Sequence, residues 1–160
     1  MLIEGTHAFP ASRAVVWEML WDPDVIAKTT PGTRGMRRVG PDRYQGKMRL
    51  GLGPFVAAEL DLTITLADVV PLQSYAMLIE GTGRHVSLQG RAAMRLADDP
   101  EGAGAGDGRR TTLRYAAEFH VGGTVTALGH RLIESVSRLV AKQGLEALSR
   151  ELERRLKKRV

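Results

Sequence analysis

The strongest constraint in this sequence is a change of hydrophobic period along the chain. From Arg34 to Val121 apolar residues recur at every second position, and turn residues interrupt the alternation at short intervals. From Thr124 to Lys157 apolar residues recur instead at helical spacing. Six strands fit the first segment, and their short connections predict an antiparallel meander. The second segment predicts one long C-terminal helix.

The N-terminal segment adds one strand and two short helices. Residues Leu2 to Phe9 alternate in polarity and predict a first strand. Pro10 then opens a helix over Ala11 to Trp21, and a second short helix runs from Pro23 to Lys28. The sequence therefore predicts an α+β fold, in which a curved, seven-stranded antiparallel sheet wraps the long C-terminal helix.

Composition excludes several classes of protein. The chain has 160 residues, which suits one domain, and it lacks cysteine, which excludes thiolate zinc sites and disulfides. The four histidines show no metal-site spacing, so we expect neither a metal nor a cofactor. Few aromatic residues accompany the basic ones, so we expect no nucleic acid as a partner. No apolar run reaches roughly 18 residues and no signal peptide is recognisable, which predicts a cytoplasmic protein.

The strand alternation assigns an apolar face to the interior and a charged face to solvent. General acid–base chemistry needs titratable groups inside a pocket, and here most of them have the outward parity. Methionines and small residues share the inward face, which suits either an ordinary core or an apolar ligand cavity. In the cavity interpretation, a tyrosine donates a hydrogen bond to the ligand. The predicted lining residues are Tyr44, Met48, Leu62, Ile64, Tyr75, Met77, Met94, Tyr115, Phe119, Leu132 and Val136.

One helix and two loops are predicted to form the rim of that cavity. Trp17 and Trp21 lie one helical turn apart, and such a pair either packs in the core or borders the opening. The turn at Pro31 and Gly32 and the hairpin at Gly83 are expected to control access, because loops between rigid elements commonly do so.

The C-terminal end of the chain concentrates positive charge. Residues 123–160 contain nine Lys and Arg and four Asp and Glu, an excess equal to the net charge of +5. At about 1.5 Å per residue, the predicted helix is longer than a small domain. Residues 149–160 are therefore expected to overhang a domain of residues 1–148, either as a solvated helix end or as a segment that docks on an anionic membrane or acidic partner. The predicted docking residues are Leu152, Arg154, Arg155, Leu156, Lys157, Lys158 and Arg159.

Short motifs distributed over the chain resemble those of a known family. They are Asp22-Pro23, Thr30 to Gly32, Gly53-Pro54, Ser74-Tyr75, Glu80 to Gly83 and, most specific of all, Val121 to Ile133. Over Leu2 to about Leu148 the chain resembles the CoxG family of carbon monoxide dehydrogenase subunits, within the START-like superfamily that also contains polyketide cyclases and birch-pollen allergens.

The resemblance implies a helix-grip fold with an apolar cavity between the sheet and the long helix. It also implies a lipophilic, quinone-like ligand. The implied role is the recruitment or maturation of a carbon monoxide dehydrogenase-type molybdenum hydroxylase at the inner face of the cytoplasmic membrane. Two alternatives stay open: a small cyclase- or dehydratase-type enzyme that uses His7 with a tyrosine, and an adaptor without a cavity that acts through its basic helix.

Overall fold

The computed structural model describes residues 1–51, 57–99 and 109–158, without the side chain of Pro23. The family motif Gly53-Pro54 and the predicted docking residue Arg159 lie outside these ranges. The strands are β1 (Leu2–Phe9), β2 (Thr33–Gly40), β3 (Arg43–Gly51), β4 (Ala57–Val70), β5 (Ser74–Thr82), β6 (Ser87–Asp98) and β7 (Thr111–Gly122). The helices are α1 (Arg13–Leu20), α2 (Pro23–Thr29), a 3-10 helix (Thr124–Leu128) and α3 (His130–Lys158).

The seven strands form a single antiparallel sheet in the order β1-β7-β6-β5-β4-β3-β2. Strands β2 to β7 pair with their neighbours in sequence, as a meander does, and β1 completes the sheet by pairing with β7. The predicted α+β architecture, a seven-stranded antiparallel sheet with a long C-terminal helix, is confirmed. Strands β1 and β2 are the two edges of the sheet.

The two short helices cover one end of the concave face of the sheet. Helix α1 begins after Ser12, whose hydroxyl accepts a hydrogen bond from the N–H of Val15, and it buries Val16 and Met19. Helix α2 begins after Asp22, whose carboxylate accepts a hydrogen bond of 2.9 Å from the N–H of Asp24. The hydroxyl and the carboxylate each satisfy a backbone donor that the helix itself leaves unpaired.

The C-terminal helical segment differs from the prediction at both ends. Helix α3 begins only at His130, because Gly129 has a φ of 101° that ends the preceding 3-10 helix. At its other end α3 does not overhang the domain, since Leu152 is fully buried and Arg155 donates a hydrogen bond to Asp22. The predicted overhang is therefore wrong at these positions: the buried leucine docks residues 149–158 on the domain.

Candidate ligand cavity

A cavity of about 320 Å³ lies between the concave face of the sheet and α3. Inward-facing side chains of β1 and of β3 to β7 form its floor, α3 covers it, and the connection between α2 and β2 forms one side. The structure places nine of the eleven predicted lining residues in its wall. They are Met48, Leu62, Ile64, Tyr75, Met77, Met94, Tyr115, Phe119 and Val136.

Small side chains on α3 leave space between the helix and the sheet. Ser137, Ala141 and Gly144 all face the cavity, and every lining residue of α3 is half-buried rather than buried. At the end where α1 packs, Leu66 and Tyr75 are buried. The cavity is therefore open along α3 and closed beneath α1.

Polar groups are few in the cavity wall. Among the described residues its polar side chains are five hydroxyls, and no charged side chain lines it. The hydroxyls of Thr29, Thr30 and Ser137 donate hydrogen bonds of 2.7, 2.9 and 2.8 Å to carbonyl oxygens one turn earlier in the chain. The hydroxyls of Tyr75 and Tyr115 make no hydrogen bond to the part of the chain that the structure describes. Both can donate to a ligand.

Two tryptophans support Tyr75 from outside the cavity. The ring centroid of Tyr75 lies 5.7 Å from that of Trp17 and 5.6 Å from that of Trp21. Neither tryptophan lines the cavity, so the pair packs behind Tyr75 and does not border the opening. Burial raises the pKa of Tyr75, which keeps its hydroxyl protonated and able to donate at physiological pH.

Two predicted lining residues lie elsewhere. Tyr44 is buried in the hydrophobic core and does not line the cavity. It lies in β3 opposite Arg38, and burial raises the pKa of its hydroxyl. Leu132, near the start of α3, does not line the cavity, although Ile133 and Val136 do.

The structure places one of the predicted rim residues of the two loops in the cavity wall. Pro31 lines the cavity, but Gly32 and Gly83 do not. A Cβ atom on Gly32 would collide with the carbonyl oxygen of Arg49 in β3, and one on Gly83 would collide with that of Glu59 in β4. Both glycines therefore serve the close approach of two backbones.

Sequence reasoning missed most of what the helices contribute to the wall. Strand alternation identifies the inward face of each strand, whereas a helix face can be assigned only when its packing is known. Positions three and four residues apart share one face of α3, and that spacing was the available signal. The missed helical residues are Leu20, Val25, Ile26, Thr29, Val125, Ile133, Ser137, Val140, Ala141, Gly144, Leu145 and Leu148.

The predicted docking residues divide into two groups. Leu152 is fully buried and Leu156 packs partly buried against the core, so the predicted apolar stripe is not available to a membrane. Arg154 donates to Glu151 at 2.6 Å, and Arg155 pairs with Asp22 and Glu151. Lys157 and Lys158 are exposed. No helix in residues 1–51, 57–99 and 109–158 is both long and apolar enough to cross a bilayer.

The ion pair of Arg155 and Asp22 ties the end of α3 to the start of α2. Burial acts to raise the pKa of Asp22, but hydrogen bonds from Arg155 and from the N–H of Asp24 outweigh it, so the pKa is lowered. A carboxyl group with a lowered pKa in the folded state contributes stability that is complete above its unfolded pKa, about 3.9. That contribution is lost as the pH falls through the folded pKa.

The variant Asp22→Asn keeps the helix cap and removes the charge. We expect the free energy of unfolding to fall by about 1 kcal/mol at neutral pH. Below about pH 4 the difference should shrink, because the wild-type carboxyl becomes protonated there. Urea denaturation of both proteins at neutral and acid pH measures this difference in the free energy of unfolding. A difference that stays constant with pH would contradict a role for this charge.

Comparison with known sequences decides the family. The sequence profile of the CoxG family, described as a carbon monoxide dehydrogenase subunit, matches residues 5–153. The chain belongs to the CoxG family. The matched residues include most of β1 and most of α3, and they include the whole described wall of the cavity except Ile3. A comparison with curated protein sequences gave no significant match.

Solved structures similar to this CoxG-family chain show the same fold. A conserved protein from Geobacillus kaustophilus has a TM-score of 0.83 and 23% identity, and the match covers 96% of both chains. The Zhui aromatase/cyclase from Streptomyces sp. R1128 has a TM-score of 0.65 and 18% identity, with 98% of this chain and 95% of that chain covered. A START superfamily protein from Mycobacterium smegmatis has a TM-score of 0.64 and 11% identity, with 96% and 97% covered. The fold is the START-like helix grip, which is consistent with binding of a hydrophobic ligand.

Proposed function

We propose that this CoxG-family protein binds a lipophilic small molecule in the cavity beneath α3. The observation that carries the proposal is the wall, which is apolar except for hydroxyls and leaves those of Tyr75 and Tyr115 without a partner among the described residues. The volume of about 320 Å³ falls at the lower end of the range for small-molecule sites, roughly 300 to 1,000 Å³. Such a wall favours a ligand that is apolar apart from one or two hydrogen-bond acceptors.

An isoprenoid quinone meets these requirements. Its carbonyl oxygens accept hydrogen bonds from tyrosine hydroxyls, and its ring and isoprenoid chain match an apolar wall. Membership of a family of carbon monoxide dehydrogenase subunits supports this choice, because electrons from a redox enzyme must reach a carrier in the membrane. The proposed partner is accordingly a molybdenum hydroxylase of the carbon monoxide dehydrogenase type, which acts at the cytoplasmic membrane.

The enzyme alternative has less support from the cavity. A cyclase or dehydratase needs a general acid or base next to its substrate. Among the described lining residues only tyrosines titrate, and burial raises the pKa of Tyr75. The side chain of His7 is not in the cavity wall, and its Nε2 forms a hydrogen bond of 2.6 Å with Ser149 Oγ.

Quenching of tryptophan fluorescence tests the proposed function directly. Trp17 and Trp21 are the two tryptophans of the chain, and both contact Tyr75 in the cavity wall. A short-chain isoprenoid quinone that enters the cavity is therefore expected to quench their emission in a saturable way. A quenching curve that rises linearly without saturation would mean collisions only, and the carrier proposal would fail.

The variant Tyr75→Phe identifies the polar contact. We expect it to weaken quinone binding about five- to tenfold, because one hydrogen bond of about 1 kcal/mol is lost. Binding of an apolar analogue without carbonyl groups should stay unchanged. Tyr44→Phe is the matched control, since Tyr44 is equally buried but does not line the cavity. Equal losses in the two variants would rule out Tyr75 as a donor to the ligand.

A further inference from the structure

Two glycines of the sheet lie directly opposite the two aromatic residues that β7 contributes to the cavity wall. Gly5 in β1 pairs with Tyr115, and Gly90 in β6 pairs with Phe119. Both aromatic side chains line the cavity on the concave face of the sheet. Glycine weakens a strand because it has no side chain to pack, so a glycine inside a strand often marks a close approach of another group.

Each aromatic ring lies across the glycine with which its residue pairs. A Cβ atom added to Gly90 would stand 2.7 Å from Cε1 of Phe119, closer still to its Cδ1, and 2.9 Å from the carbonyl oxygen of Glu118. A Cβ atom added to Gly5 would stand 2.6 Å from the hydroxyl oxygen of Tyr115. These distances are too short for non-bonded carbon. The two rings therefore occupy the space that a side chain at either glycine would need.

The two rings border a low part of the cavity floor. Tyr115 leans from β7 toward β1, and Phe119 leans from β7 toward β6. Between them on β7 lies Ala117, which pairs with Ala92 of β6, and both alanines line the cavity. Four residues of a strand span about 13 Å, so one ring lies on each side of the alanine pair. The floor is lowest over these two alanines because their side chains are the shortest.

The ring of Phe119 has open space beside it. Phe119 is half-buried, whereas Leu113 and Ala117, which also face inward on β7, are buried. Successive residues of a strand point to opposite faces, so a ring displaced from Gly90 would stay on the concave face of the sheet. It would move into the cavity and take up space that is otherwise available to a ligand.

We infer that Gly90 determines the size of the ring system that the cavity accepts, because it lets the ring of Phe119 lie against the sheet. Gly90 is therefore a positioning residue, which acts on the ligand through Phe119. The inference rests on the proposed function and adds to it that the ligand carries a planar ring over Ala92 and Ala117. A ring packed on a strand glycine also stabilises a sheet, so the test must separate ligand space from stability.

Titration with two quinones of different ring size tests the inference. The probes carry the same short isoprenoid chain, one on a benzoquinone and one on a naphthoquinone. Tryptophan quenching gives both dissociation constants, and we define the ring ratio as the value for naphthoquinone divided by that for benzoquinone. The test variant is Gly90→Ala. The matched control is Gly51→Ala, at a strand glycine outside the cavity wall whose added Cβ would meet no described atom within 4 Å. Thermal unfolding is measured on every variant.

We expect Gly90→Ala to raise the ring ratio at least about tenfold, because the displaced ring excludes the larger quinone first. Adding Phe119→Leu to this variant should bring the ring ratio back to within about threefold of the wild-type value, since no ring is left to displace. Gly51→Ala should leave the ring ratio unchanged. A general loss of stability would weaken binding of both quinones and would not be rescued by a second substitution.

Phe119→Leu alone is the second test, and it decides the question if Gly90→Ala does not fold. It adds no atom and frees the space over Gly90, so we expect the ring ratio to fall about threefold. An unchanged ring ratio in Gly90→Ala or in Phe119→Leu, or no rescue in the double variant, would overturn the role of Gly90 while saturable binding by the wild-type protein keeps the proposed function. Wild-type protein that binds neither quinone would overturn both.

Discussion

Replacing Leu152 by alanine should lower the free energy of unfolding by about 3 kcal/mol, within the range of 2 to 5 measured for buried leucines. The side chain of Leu152 is 0% exposed and belongs to the main hydrophobic core, although it lies close to the C-terminus. Its removal leaves a cavity that the surrounding helices can fill only in part. Urea denaturation measures the loss. The substitution should lower the urea concentration at the midpoint of unfolding and leave the dependence of the free energy of unfolding on urea concentration unchanged.

Leu139→Ala is the matched control for that prediction. Leu139 lies on the same helix, is 52% exposed, and undergoes the same chemical change. We expect its effect to stay within about 0.5 kcal/mol, as for most surface substitutions. If the two variants are equally stable, the end of α3 is not docked in solution, and the overhanging helix predicted from sequence would be correct after all.

Replacing Ala141 by phenylalanine should abolish quinone binding, with an affinity loss of at least about a hundredfold. Ala141 lies on the face of α3 that covers the cavity. A phenyl ring there takes the space that the quinone ring would occupy, and a loss of about 3 kcal/mol corresponds to this factor. The ring enters an open space and does not overpack a filled core, so stability should fall little or rise.

Gln143→Phe separates occupation of the cavity from the presence of an added ring. Gln143 is exposed and lies two residues further along α3. We expect this variant to bind the quinone with the affinity of the wild-type protein. The same tryptophan quenching titration measures that affinity. Full binding by Ala141→Phe would place the quinone outside the cavity and would contradict the proposed function.

The strand positions of the cavity were predictable because a strand has a period of two. One inward residue in each strand assigns the face of all the others, and nine of the predicted lining residues follow from that rule or from the helix pattern. The two predicted residues outside the cavity wall, Tyr44 and Leu132, show where the rule ends. Parity says that Tyr44 faces inward but not how far the cavity extends along β3. Apolar residues lie on several faces of α3. Whether Leu132 faces the cavity could therefore be assigned only after the packing of the helix was known.

The charge distribution shows a different limit of sequence analysis. Residues 1–122 contain equal numbers of basic and acidic side chains, 14 of each, and the prediction assigned the net charge to the last helix alone. Residues 28–51 contain seven Lys and Arg and one Asp, and this excess of basic side chains is hidden when all 122 residues are summed. Folding then packs α2 against both β2 and α3.

The sequence by itself determined the order of the strands and helices, the inward face of each strand and the family, because these depend on local periodicity and on motifs. Only the tertiary structure decided that Leu152 is core rather than surface, that Tyr75 rather than Tyr44 lines the cavity, and that α3 leaves an open space above the sheet. Those outcomes depend on where α3 docks against α2 and β1. A docking position is set by many weak contacts between distant segments, and no local pattern contains it.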